Sequence, residues 1–295
     1  MLCGMPVRSP GPRLEVVASN ENVWCGFPRW FALLLAISGS IVPGPATAST
    51  PSAKVPSNGR DALEAMRSGY GGRWYTTLTF VQKTTKRSLD GKQTVETWYE
   101  SLRHTDASGT QLRIDLGPPS AGNGVLYTAT ETRRFRAGKE VETRQGGNAL
   151  LPLIEGVYLQ PIERTVAELQ PTGVDLSRPV VTGRWEKRPV WILGATSPSD
   201  VRSPQIWVDA ERKVVVRALL PPVPGAPLMD IRIGRWVPLA GGWLGTRCEF
   251  LVDGKLDQAE DYSDWKAGVT LSDALFDPAT FASAPHWAAS ASTRH

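Results

Sequence analysis

The sequence predicts a mostly β chain of the α+β class: one strongly curved antiparallel sheet, or incomplete β-barrel, with short helices as a lid. Three observations predict it. Apolar and polar residues alternate along run after run, as in half-buried strands. Tight-turn pairs, Asp90-Gly91, Gly241-Gly242 and Asp253-Gly254, join successive runs. Helical periodicity interrupts the strands only twice, so no crossover helices are available to build a parallel sheet.

The chain of 295 residues opens on a long lead that belongs to no domain. The one strongly apolar run, Trp30 to Val42, is 13 residues long, short of the roughly 20 needed to cross a bilayer. Arg29 before it and Ala46-Thr47-Ala48 after it match a secretory signal with its small-x-small cleavage site. Residues 1–48 are therefore read as a signal peptide, cut after Ala48, that sends the protein to the periplasm. The lead before the apolar run is read as an over-extended start, since initiation at the codon read here as Val23 gives a signal of ordinary proportions. Residues 49–57 form a Ser/Pro/Lys-rich linker, 58–281 a single domain, and 282–295 a flexible tail.

Within the domain, "GRDALEAMRSGY" places Ala62, Leu63, Met66 and Tyr70 at helical spacing. Alternating runs follow at Tyr75 to Lys83, Thr94 to His104, Gln111 to Leu116, Gly124 to Thr128 and Arg133 to Arg136. The second interruption, "GNALLPLIEGVYLQPIERTVAELQP", carries two short helical pieces, with Asn148 as cap of the first and Pro161 opening the second. Hairpins then resume, from "RPVVTGRWEKRPVWILGA" through "QIWVDAERKVVVRAL" to the paired turns near the end, for about ten strands in all. A sheet of that size curls and can wrap a cavity or a helix.

Composition excludes more than it selects. The formal charge is +4, and the first 48 residues carry Arg8, Arg13 and Arg29 against Glu15 and Glu21, leaving +3. So mild and dispersed an excess does not mark a nucleic-acid binder. Cys3 and Cys25 precede the cleavage site, so Cys248 is left without a disulfide partner, and the fold must rest on its core. Catalysis finds few parts. The histidines are His104, His286 and His295, too few and too scattered for a zinc site or a His-based triad. Cys248 reads as a structural thiol, and "GYGG" at Gly69 to Gly72 as a turn. The acidic group Asp253, Asp257, Glu260, Asp261 and Asp264 lacks calcium-loop spacing and reads as a solvated rim. No catalytic residue, metal or cofactor is expected.

Apolar faces stand out instead. Leu78 and Phe80 share a face with Gln82, while Leu112, Ile114 and Leu116 oppose Gln111, Arg113 and Asp115, giving a greasy face and a wet one. Such a face either forms an ordinary core under a helix or, roofed by the segment around Leu150 to Leu159, encloses an apolar ligand. The ligand reading selects Leu78, Phe80, Trp98, Leu112, Ile114, Leu151, Leu153, Ile154 and Trp207 as cavity residues.

The order of helix, hairpins, short helical insert and hairpins, behind a signal, resembles the periplasmic LolA/LolB-like lipoprotein carriers and receptors. The matching pieces are "LTFVQ", similar to the family's Phe-x-Gln strand, "TWYESLRH" on the next strand, "QIWVDAERKVVVRAL", similar to its Trp-Val-Asp hairpin, and "LSDALFDPATF", similar to its closing Phe-x-Pro stretch. The resemblance implies a curved, incomplete barrel lidded by helices, a binding protein rather than an enzyme. It implies as partner a lipid or lipoprotein acyl chain, with an inner- or outer-membrane protein as a second partner. Carriers of this kind have an Arg-Pro after the second strand whose Arg helps control the lid. Arg103 is the nearest match, with His104 in place of the Pro, and "TATETRRF" replaces the family's Ser-Asp-Gly turn. A relative holding another apolar ligand and an envelope sensor or interaction module of the RseB/MucB type both fit this pattern; a hydrolase would need a polar cluster inside the barrel.

Overall fold

The computed structural model describes residues 54–88, 91–221 and 225–290; the expected signal, its cleavage site, most of the linker and Asp90 lie outside them. The strands are β1 (Thr77–Arg87), β2 (Gln93–Thr105), β3 (Gly109–Leu116), β4 (Gly124–Tyr127), β5 (Glu131–Arg136), β6 (Lys139–Gln145), β7 (Val181–Trp185), β8 (Arg188–Leu193), β9 (Gln205–Asp209), β10 (Val215–Leu220), β11 (Met229–Leu239), β12 (Gly242–Val252) and β13 (Lys255–Ala267). They form one 13-stranded sheet, ordered β6-β5-β4-β3-β2-β1-β13-β12-β11-β10-β9-β8-β7. Every ladder is antiparallel. Two meanders, β1 to β6 and β7 to β13, are thus sewn together where β1 pairs with β13, Leu78 opposite Ala267 and Thr85 opposite Ala259. The outer strands β6 and β7 do not pair, so the barrel stays open. Register shifts interrupt four ladders, and such bulges add local bend and twist.

The first helix, α1 (Gly59–Tyr70), starts where the Asn58 side chain accepts a hydrogen bond from the Asp61 amide and ends at Gly71, whose φ of 51° is left-handed. Its buried stripe is Ala62, Leu63, Met66 and Tyr70, the residues whose spacing predicted it. Between β6 and β7 runs the insert: a π-turn at Pro152–Gly156, then α2 (Val157–Leu159) and α3 (Ile162–Leu169). Asn148 caps its start, accepting from the Leu150 amide at 2.9 Å, and α3 begins directly after Pro161. The π-turn is not visible in the sequence. It widens the backbone by one residue and brings Leu153 and Glu155 inward, both buried.

Helix α1 and the insert share one core with the inner face of the sheet, including Leu78, Leu102, Ile206, Val208 and Ala218. A second, smaller core lies on the outer face, where Leu126 and Phe135 meet Leu275, Phe276 and Phe281. The supposed wet face of β3 is therefore dry. Arg113 and Asp115 are 1% and 0% exposed because the C-terminal segment lies over them: the Arg113 guanidinium grips Asp115 at 2.7 and 2.8 Å and donates to the Phe281 carbonyl at 2.8 Å. His286 adds a contact to Asp115 at 3.1 Å, and the Trp287 indole donates to Ser101 at 2.8 Å. The region expected as a flexible tail from 282 thus packs onto the sheet at least through Trp287.

One of the strands beyond the expected ten escapes notice in the sequence for a physical reason. Strand β6, "KEVETRQ", is exposed at every position, so it has no inner face to write an alternation into the sequence.

Candidate functional site

Along β1, β2 and β3 the residues of even number point inward, because side chains alternate across a strand. The ladder sets Leu78 opposite Leu102 and Phe80 opposite Glu100, and continues through Leu102 to Leu112 and Glu100 to Ile114. From the other meander, Ile233, Cys248, Phe250 and Tyr262 approach the same space, and Leu150, Leu151 and Ile154 of the insert roof it. The result is a cavity of about 120 Å³ with a mainly apolar lining. Asn148 and Leu151 also line a neighbouring cleft of about 700 Å³, bounded by the β4–β5 turn, the end of β6 and α3. The insert therefore stands between a smaller, mainly apolar chamber and a wider, more polar cleft.

Six of the nine expected cavity residues line this chamber: Leu78, Phe80, Leu112, Ile114, Leu151 and Ile154. Leu153 is fully buried in the main core and does not face the chamber. Trp98 is on the inner face but at the rim, its indole donating to Glu96 at 2.8 Å with the Lys86 ammonium 4.8 Å from the ring centre. Trp207 is on the opposite face. Its neighbour Ile206 pairs with Leu193 and Ala218 on the inner side, so Trp207 turns outward against Trp185 and the Arg217 guanidinium. A continuous buried run such as "QIWVD" gives no alternation by which to choose its face.

Arg103 is also placed away from the lid. It points from the outer face, donates to Gln111 at 2.8 Å, pairs with Asp273 and lies 4.2 Å over the Phe276 ring. Its ionic and ring partners, Asp273 and Phe276, belong to the C-terminal segment, so it anchors that segment rather than the insert.

The latch of the insert is built from other residues. Trp74, just after α1, stacks on Tyr158 with ring centres 3.7 Å apart and donates its indole N–H to Glu155 at 2.7 Å. Tyr75 meets the second Glu155 oxygen at 3.0 Å, and the Tyr158 hydroxyl donates to the Lys213 carbonyl at 2.9 Å. Burial drives the Glu155 pKa up to about 8, despite the hydrogen bonds from Trp74 and Tyr75 that favour its anion.

Two further carboxyl groups line the chamber. Glu260, expected on a solvated rim, is buried; it accepts from the Tyr262 hydroxyl and the Gln258 amide, both at 2.6 Å. Its neighbour Asp261 does lie outside, bridging Arg235 and Arg247. Glu100 is 4% exposed, and among the described residues no donor reaches it. Burial first, and the charge of Glu260 second, hold its pKa well above the usual carboxylate range. Burial likewise pushes up the Cys248 thiol, which has no histidine beside it among the described residues and stays protonated. The signal for both glutamates was in the register: Glu100 has the parity of Leu102, and Glu260 that of Tyr262. Among the described residues no group of metal-binding side chains occurs, and no helix is long and apolar enough to cross a membrane.

No family model and no curated protein matches the chain. Solved structures do. A DUF1329 family protein from Desulfovibrio piger aligns with a TM-score of 0.52 and 13% identity over 74% of this chain and 95% of its own. A putative outer membrane lipoprotein-sorting protein domain from Vibrio parahaemolyticus aligns with a TM-score of 0.52 and 9% identity over 75% and 97%. A LolA superfamily protein from Nitrosomonas europaea aligns with a TM-score of 0.48 and 13% identity over 75% and 97%. The chain shares its fold with the first two of these structures: an open, curved antiparallel sheet holding short helices on its inner face.

Proposed function

We propose that this chain is a periplasmic binding or carrier protein that shelters an acyl chain or another hydrophobic ligand beneath the insert. The supporting observation is the apolar chamber itself, about 120 Å³ in volume, which shares Asn148 and Leu151 with the cleft. An engineered apolar cavity of about 150 Å³ takes up benzene, so the chamber suits the end of a ligand whose remainder runs along the cleft. A role in lipid or lipoprotein traffic towards the outer membrane, following cleavage after Ala48, extends the same reading. It is a reading of binding, since burial and the neighbouring Glu260 and Glu100 hold the Cys248 thiol protonated rather than activating it.

Titration with 1-decanol, an uncharged ten-carbon chain, tests it. Trp236 and Trp243 line the chamber, so binding in the micromolar range should shift tryptophan emission and should saturate. A flat titration, with no displaceable lipid in protein purified from the periplasm, would replace this reading with that of an interaction module whose interior is filled by its own side chains.

A further inference from the structure

The chamber has an electrostatic character that an acyl tail does not explain. Among the described residues three carboxyl groups line it, Glu100, Glu155 and Glu260, and not one Lys, Arg or His does, in a chain whose formal charge is +4. Aromatic rings fill much of the remaining wall: Tyr75, Phe80, Trp236, Trp243, Phe250 and Tyr262. Two of the carboxyl groups have partners. Glu155 is held by Trp74 and Tyr75, and Glu260 by Tyr262 and Gln258. Glu100 has none among the described residues, although only 4% of it is exposed.

A buried polar group without a partner costs free energy, and natural interiors almost always supply one. The Glu100 oxygens are not sealed off: they keep open surface, and the chamber they line is where a partner, water or ligand, reaches them. Aromatic faces attract cations, and rings ranged round a pocket are a recurring way of holding an alkylated ammonium. An opposite charge would also favour the ionised form of Glu100, which burial and Glu260 now disfavour. Resting on the proposed binding function, we infer that the chamber selects hydrophobic organic cations: its ligand is an amine or quaternary ammonium on an apolar body, with the cationic end against Glu100. The apolar remainder passes Leu151 into the cleft. On binding, Glu100 releases its proton to water, so the loaded chamber holds a paired charge.

Three ligands that share a ten-carbon chain separate this from its rivals: decyltrimethylammonium, 1-decanol and decanoate, each titrated below its micelle concentration at pH 8. Decyltrimethylammonium should bind at least tenfold more tightly than 1-decanol, and decanoate most weakly, because its carboxylate would meet three acidic side chains and no cation. Glu100→Gln, its folding checked by circular dichroism, should bring the ammonium-to-alcohol affinity ratio down towards one. Equal or tighter binding of 1-decanol or decanoate by the wild type overturns the inference while leaving the binding function standing. So does a Glu100→Gln protein that keeps the full preference. If none of the three binds, the proposed function fails and the inference with it. Should Glu100→Gln not fold, the wild-type series still decides.

Discussion

Glu155 illustrates how one side chain can tie the insert to the body of the protein and make that tie depend on pH. Tyr75 has a single hydroxyl proton and two acceptors within reach, Glu155 at 3.0 Å and the Trp243 carbonyl at 3.2 Å. A protonated Glu155 resolves the conflict: it donates to Tyr75, Tyr75 donates to Trp243, and Trp74 donates to the other carboxyl oxygen. With a folded pKa of about 8 against the usual 4.5, the native state keeps a proton that the unfolded chain has released. Stability therefore falls as pH rises through that window, by about 1.4 kcal/mol per pH unit from this group. Glu155→Gln should flatten that part of the slope, as measured by urea unfolding at pH 5 and pH 8. The Arg113–Asp115–His286 cluster behaves in the opposite sense. Burial alone would raise the Asp115 pKa, but hydrogen bonds from Arg113 and His286 hold it below the usual range, so its contribution is present above the unfolded pKa and lost in acid. Arg113→Met removes the bidentate partner and should cost roughly 3–5 kcal/mol in the same assay at pH 7.

Among the elements, the insert and the C-terminal segment divide the two faces of the sheet, and substitutions should respect that division. Leu151 lines both chamber and cleft, so Leu151→Glu is expected to weaken 1-decanol binding at least tenfold, about 1.4 kcal/mol. Leu153, two residues away, is 0% exposed within the core, and Leu153→Glu should prevent folding instead. Arg103→Leu should loosen the C-terminal segment by about 1 kcal/mol, through one half-exposed ion pair and one ring contact, without changing probe affinity. The alternation of Leu112 and Ile114 and the helical spacing of Leu63 and Met66 made these elements legible in advance, because each has one dry side and one wet side. Legibility stopped where a residue was dry on both sides, as at Trp207, wet on both, as along β6, or polar and turned inward, as at Glu100. In those places hydropathy no longer reports direction, and only the pairing register does.

At the scale of the molecule, both outer strands remain open, and β6 protects its edge with charge: Lys139, Glu140, Glu142 and Arg144 all lie on an exposed strand. A Lys139→Thr/Glu140→Thr/Glu142→Val variant should elute as dimers or larger species in size-exclusion chromatography with light scattering. The seam between β1 and β13 has a different consequence, one of timing. The middle of the sheet is made from the first strand of the domain and the last, with Leu78 facing Ala267. During synthesis or threading across a membrane from the N-terminus, neither meander can cover its central edge until nearly the whole domain has emerged. The early half must therefore wait with β1 unpaired on one side, a state that invites capture by a chaperone or by another nascent chain. Stopping the chain after Val252 removes no more than one strand and the segment beyond it, yet it should split the protein into two unsealed halves and yield aggregates. A chain permuted to begin at β7, with β13 joined to α1 by a linker, would instead make the central strands neighbours in sequence, and it should refold faster than the native order.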